Sequence, residues 1–314
     1  MKGVEIVADQ AFFSGSTADL KRAIAGGALD DCGSLTVEGK LTAVPPEIAR
    51  LKRLRELVLD TDTLQTIDAA IFQCARLVKL VVLSNQIKEL PAGGWQKLAA
   101  LEQLELTTSR ALRSLPDDLG EAPRLAGEFD LTAMTKLAAL PRSFGRLAGV
   151  TILRLPPGVA APEPIAGMTA LRRLTVRGVD RLPADLGALQ QLEAVDAKDC
   201  PLTELPVSIG GAKELDSLAL AGTKLTALPD GLTRLTNLSD LDLSNTPLTA
   251  LPEAIGAPPL TRLRLQKTAI SRLPASLAGA EKVRVYLPLG QRAAIEASSA
   301  EVLAALGSRA SFEA

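Results

Sequence analysis

Apolar side chains recur along most of the chain in one order. Three closely spaced Leu-like positions come first, then a small residue, then Leu or Ile at wider intervals around a Leu-Pro pair. Leu215–Asn237 reads LDSLALAGTKLTALPDGLTRLTN and Leu238–Pro259 reads LSDLDLSNTPLTALPEAIGAPP, a period of about 23 residues. Earlier copies begin near Cys32, Leu54, Leu77, Leu101, Ala126, Val150, Leu171 and Leu192, and a later one at Leu260, which makes about eleven units of about 21 to 25 residues. A degraded last strand follows at Val283, Val285 and Leu287.

The front of each unit alternates with the period of a strand, and the back has the looser spacing of helix or turn. One such unit has nothing against which to bury its Leu residues. Stacking aligns the short strands into a parallel sheet, about 4.8 Å apart, and turns the consensus positions into a continuous interior. The ninth position carries Asn85, Ser109, Cys200, Thr223, Thr246 and Thr268, small side chains expected inside the turn, where several can bond backbone. Leu-Pro pairs beginning at Leu90, Leu115, Leu140, Leu182, Leu205, Leu228, Leu251 and Leu273 close it, because Pro fixes its own φ and restricts the residue before it.

The unit LxxLxLxx(T/N/S)xLxxLPxx(L/I)xxLxx resembles the leucine-rich-repeat family, in particular its LPxxIxxLxxLxxLxL subclass, found in bacterial and plant intracellular proteins and in the recognition domains of bacterial type III effectors. The resemblance implies an α/β solenoid, a horseshoe with a parallel concave β-sheet, over residues 32–287. Residues 1–31 are read as an N-terminal helical cap, since Ser16-x-x-Asp19 opens a helix that stops at Gly26 and Gly27. Residues 288–314 are read as a C-terminal helical cap in which a helix starts at Ser298-x-x-Glu301 and runs through Val302, Leu303 and Leu306 to Gly307.

Composition narrows the function. With 47% apolar but only 3% aromatic residues the core is aliphatic, and a net charge of -1 offers no field for phosphate backbones. Nucleic acid is therefore not an expected partner. The absence of His removes the usual general base and zinc ligand. No cofactor, metal site or catalytic activity is expected. Met1–Phe13 is interrupted by Glu5 and Asp9, so neither a signal peptide nor a membrane span is read there, and a location in the cytoplasm or, by the resemblance, inside a host cell follows.

Plain packing accounts for most of the single residues that stand out. Cys32, Cys74 and Cys200 fall in consensus slots and read as structural. Trp95 lies on the convex side, where filling the core is favoured over contacting a partner. Asn237-Leu238-Ser239 matches a glycosylation sequon by chance, because Leu238 is a core position. In some effectors of this kind a ligase domain carries Cys followed two residues later by Asp. None of the three Cys has that context, so such a domain, if there is one, is expected outside this chain.

Positions between the strand Leu residues point outward, onto the face that repeat proteins use for binding. They read Glu38, Glu56, Val58, Asp60, Lys79, Val81, Leu83, Glu105, Glu128 and Asp130, then Arg154, Arg173, Arg177, Asp196, Lys198, Asp199, Asp240, Asp242, Arg262, Arg264 and Lys267. An acidic first half surrounding Val58, Val81 and Leu83 suits a partner with a basic rim and an apolar anchor. Against that stands cross-strand pairing of Asp130 with Arg154, Asp240 with Arg262 and Asp242 with Arg264. A second candidate is the basic cluster Arg173, Arg177 and Lys198, beside an irregular stretch from Leu155 to Pro164. The chain is thus expected to be a monomeric, non-catalytic protein-recognition module. The resemblance implies a bacterial effector acting in virulence on a host protein. The alternatives are the substrate-recognition part of a larger ubiquitin ligase and a self-associating scaffold.

Overall fold

A computed structural model describes residues 3–159 and 163–313, with the side chain of Glu163 left aside. The middle of the irregular stretch from Leu155 to Pro164 lies outside the described residues. Two compact units divide the chain, Met1–Val159 and Ala160–Ala314.

In the first unit, strands β1 (Val4–Val7), β2 (Gln10–Ser14), β3 (Ser34–Glu38), β5 (Glu56–Asp60), β7 (Lys79–Leu83) and β8 (Gln103–Glu105) form a sheet in that spatial order. Two short strands, β4 (Ala43–Val44) and β6 (Thr66–Ile67), pair separately. Strands β9 (Ala126–Asp130) and β10 (Gly149–Pro157) pair with each other. Parallel pairing from β3 onward puts Leu35, Leu57, Leu80 and Leu104 in one register row, each at most 5% exposed, so each coil covers the Leu of the next.

The second unit repeats this with β11 (Arg173–Arg177), β12 (Ala194–Asp196), β13 (Ser217–Ala219), β14 (Asp240–Asp242), β15 (Arg262–Arg264), β16 (Arg284–Pro288) and β17 (Ala310–Glu313). Its buried row is Leu174, Val195, Leu218, Leu241, Leu263 and Val285. The convex segments are mostly single 3-10 turns, such as Pro46–Arg50 and Val207–Gly211, each burying one Leu or Ile while its Pro neighbour sets the entry angle.

The ends of the chain depart from the helical reading. Helix α1 (Thr17–Ala25) has its capping box at Ser16 and Asp19, and the bonds from the Ser16 side chain and backbone, with Arg22 beside it, lower the Asp19 carboxyl to about 2. Before it, however, β1 and β2 form an antiparallel hairpin whose second strand continues the parallel sheet at β3. The C-terminal helices are α2 (Arg292–Ser298) and α3 (Ala300–Leu306), and the residue preceding α3 is Ser299, not Ser298. The Ser299 hydroxyl instead accepts the backbone N–H of Leu273 at 2.8 Å, tying the helices to the last full coil. Strand β17 then adds to β16, a pairing with no consensus to announce it.

Turn chemistry also splits in two. Thr223, Thr246 and Thr268 are buried and donate to the carbonyl three residues earlier, at 2.8, 2.7 and 2.7 Å. The residue before each is left-handed: Gly222 at φ 72, Asn245 at φ 56 and Lys267 at φ 56. Asn85, by contrast, is exposed, and Ser84 takes the interior place with its hydroxyl 2.8 Å from the Leu64 carbonyl oxygen. That turn lacks the left-handed residue, and its inward-pointing position falls one residue earlier. Among the non-glycine residues at this turn position, Asp199, Asn245 and Lys267, only Lys267 lacks a short polar side chain. Lys267→Asn, the residue found one coil earlier, is expected to raise unfolding free energy by about 0.5 to 1 kcal/mol in urea titration, since Asn tolerates this region better than Lys.

Candidate protein-binding face

In the first unit the outward positions of β3, β5, β7 and β8 form three rows. One contains Ser34, Glu56, Lys79 and Gln103, the next Thr36, Val58, Val81 and Glu105, and the third Glu38, Asp60 and Leu83. Glu56 and Lys79 form an ion pair at 3.3 Å. Val58 and Leu83 are half-buried, whereas Asp60 and Glu105 are exposed. Val81 is only 5% exposed and is corrected from an accessible anchor to a covered one. It is a short side chain on an interior strand, bracketed by Val58 and Glu105 across the sheet and by Lys79 and Leu83 along its own strand. Glu38 and Asp60 stand directly opposite each other, and neither has an ion-pair partner among the described residues.

Further along the same unit, Arg154 pairs with Glu128 and lies 3.8 Å from Asp130, which is opposite it in register. A bulge between Val150 and Ile152 precedes this alignment. The first interior side chain of that repeat is Leu125 rather than Ala126. One residue is inserted before the buried Phe129, and Gly127 at φ 80 absorbs it. As a result β8 is the last strand of its sheet and β9 does not pair with it. A cleft of about 370 Å³ lies between them, lined in part by Gln103, Leu104, Glu105, Leu106, Gly127 and Glu128. The broken spacing was visible in the sequence; the opening it produces was not.

In the second unit Arg177 bonds Asp196 at 2.8 Å, and this bond raises the Arg177 pKa against the effect of burial. Burial raises the Asp196 pKa, but Arg177 and the Lys198 backbone N–H outweigh it and leave the carboxyl lowered. Arg173 and Lys198 are exposed without ion partners among the described residues, so Arg177 is removed from the expected free basic cluster. Asp240 bonds both Arg262 and Arg264 at 2.8 Å, and Asp242 lies 3.7 Å from Arg264. The charge sorted along this stretch is therefore largely neutralised within the sheet, and half-exposed pairs of this kind contribute at most about 1 kcal/mol each.

No protein-family model matches the sequence, and no curated protein matches it. Solved structures do. A leucine-rich-repeat protein of Leptospira interrogans is 23% identical at a TM-score of 0.55, over 98% of this chain and 90% of that one. An internalin of Listeria monocytogenes is 14% identical at 0.54, over 89% and 80%. The leucine-rich-repeat domain of the type III effector XopL is 23% identical at 0.50, over 62% and 78%. This chain has the leucine-rich-repeat fold.

Within these leucine-rich coils the three Cys are buried and unpaired to one another. Burial pushes Cys32 and Cys74 up to about 11, and raises Cys200 as well. Folded protein at pH 8 is expected to leave all three unlabelled by a maleimide over minutes, and the protein in 6 M guanidinium to be labelled at all three, counted by intact mass. Trp95 is 1% exposed and therefore packs the repeat core instead of meeting a partner. Leu238 of the sequon is fully buried, and Asn237 is already bonded to Glu214 at 3.1 Å. No described helix is long and apolar enough to cross a membrane. Among the described residues no group of His, Cys, Asp and Glu is placed to hold a metal ion.

Proposed function

We propose that this chain is a non-catalytic recognition module that binds a protein through the first unit's sheet face. The observation carrying this reading is the row Glu38, Asp60 and Leu83, flanked by Val58 and Glu105. Like charges directly opposite each other in a sheet are destabilising. Glu38 and Asp60 nevertheless adjoin with no ion-pair partner among the described residues, beside half-exposed aliphatic side chains. Such a surface complements a partner that brings an apolar side chain to Leu83 and Val58 and basic groups to the carboxylates. The ion-paired positions Glu56, Lys79, Glu128, Asp130 and Arg154 form its rim, and Arg173 and Lys198 are held as a second contact area.

The fold likeness to an internalin and to the recognition part of a type III effector supports a further step. In this reading the protein is bacterial and effector-like, and its target is a host protein. It works as a monomer.

Affinity capture from bacterial and eukaryotic lysates, comparing the protein with an Asp60→Lys, Glu105→Lys variant of unchanged circular dichroism, tests the site. The expected result is a captured protein that disappears with the variant and weakens as salt rises. Capture undiminished by the variant would move the binding site off this face.

A further inference from the structure

The cleft between β8 and β9 has a chemistry of its own. The Ala126 N–H donates to the Glu102 carbonyl oxygen at 3.0 Å, so the two strands meet at their beginning and part only beyond Gly127. In β8 the Gln103 amide is bonded toward β7, at the Val78 carbonyl oxygen. Alternation along the strand therefore turns the main-chain groups of Leu104 toward the cleft, where no strand pairs with them. Glu105, Glu128 and Asp130 line the same opening, and among the described residues no Lys or Arg does. Arg154 serves Glu128 and Asp130, while Glu105 has only a weak bond from the Thr107 hydroxyl at 3.4 Å. Three carboxylates against one guanidinium leave a net negative wedge, beside a Leu104 carbonyl to which no strand pairs.

From this we infer that the cleft is a socket for one arginine side chain of the protein partner. This rests on the recognition reading above and names a chemical requirement of the partner. A planar guanidinium presents five N–H donors in a fixed fork, which suits a carboxylate on one side and a main-chain carbonyl on the other. The wedge is too narrow at its closed end for a whole added strand. A long thin side chain enters from the open end instead, with its head group between the Glu105 carboxylate and the β8 main chain.

The probe is N-acetyl-L-arginine amide, with the neutral isostere N-acetyl-L-citrulline amide as control, titrated into the full chain and followed by amide chemical shifts. Saturable shifts at Leu104, Glu105, Leu106, Gly127 and Glu128 are expected with the arginine probe only, at a dissociation constant on the order of 1 mM. Glu105→Gln should weaken it at least about threefold, and Gln103→Trp, which fills the mouth without changing charge, should abolish it. Equal shifts with citrulline, or none at these amides, overturn the socket. If the captured partner is lost with Asp60→Lys but retained with Gln103→Trp, the binding face stands and the socket fails. Loss with Gln103→Trp alone supports the socket and moves the face to it.

Discussion

Gly187→Ala is expected to destabilise the second unit by about 3 kcal/mol, a far larger effect than one added methyl group usually has. A Cβ built on Gly187 lies 1.9 Å from the Ser208 carbonyl oxygen of the next coil, an atom of the backbone that cannot swing aside. The same clash recurs in the first unit, where a Cβ on Gly120 meets the Ser143 carbonyl oxygen at 1.8 Å. In both places the glycine directly follows the buried convex Leu, and its N–H donates to the hydroxyl of that Ser, at 3.2 Å for Ser208 and 3.1 Å for Ser143. Close approach of successive coils and this hydrogen bond are thus one device, and an added side chain disrupts both. Gly279→Ala is the control: nothing lies within 4 Å of a Cβ there and φ is not left-handed. Urea unfolding followed by circular dichroism should separate the variants, with Gly279→Ala within about 0.5 kcal/mol of the parent. Near-parental stability of Gly187→Ala and Gly120→Ala would show that the coils relax apart at little cost.

Trp95→Ala should cost the first unit about 3 to 5 kcal/mol. Trp95 is the largest buried side chain; its ring lies edge-on to Phe72 at 5.8 Å, and its indole N–H reaches the Pro91 carbonyl oxygen at 2.8 Å. Asp118 holds the segment from the following coil by accepting the backbone N–H groups of Gly93, Gly94 and Trp95 at 3.1, 2.7 and 3.2 Å. Burial raises the Asp118 pKa, but those three bonds outweigh it and hold the carboxyl below its ordinary value. With the folded pKa depressed, the stabilisation is present above the unfolded carboxylate pKa and is lost as pH falls through the folded one. Because the chain has a single Trp, its fluorescence reports this region directly. Acid titration should move the urea midpoint of the parent further than that of Asp118→Asn. Equal movement in both would remove Asp118 from the acid response.

Much of the architecture was legible because a repeat states its rule many times. Strand alternation leaves Phe129, Leu153 and Leu174 buried and Glu128 and Arg173 exposed. The same register set Asp130 against Arg154 and Asp240 against Arg262, where ion pairs form. What a period cannot convey is how far a side chain rises above its neighbours. Val81 and Val58 occupy equivalent slots, yet only Val81 is almost fully covered, since burial depends on the adjoining strands.

The sequence alone, then, determined the coil: strand, turn, Leu-Pro corner and the row of aliphatic side chains, because these are local or nearest-neighbour properties repeated at one spacing. It also announced α1, whose capping box is contained within four residues. Only the tertiary structure decided the rest. The β1–β2 hairpin and β17 form because a neighbouring strand edge is there to receive them, and no repeated residue marks that event. The cleft exists because one inserted residue in one coil withholds β9 from β8, and the acidic row exists because, among the described residues, cations reach some carboxylates and not Glu38, Asp60 or Glu105. Both depend on distances between coils, which a one-dimensional pattern does not contain.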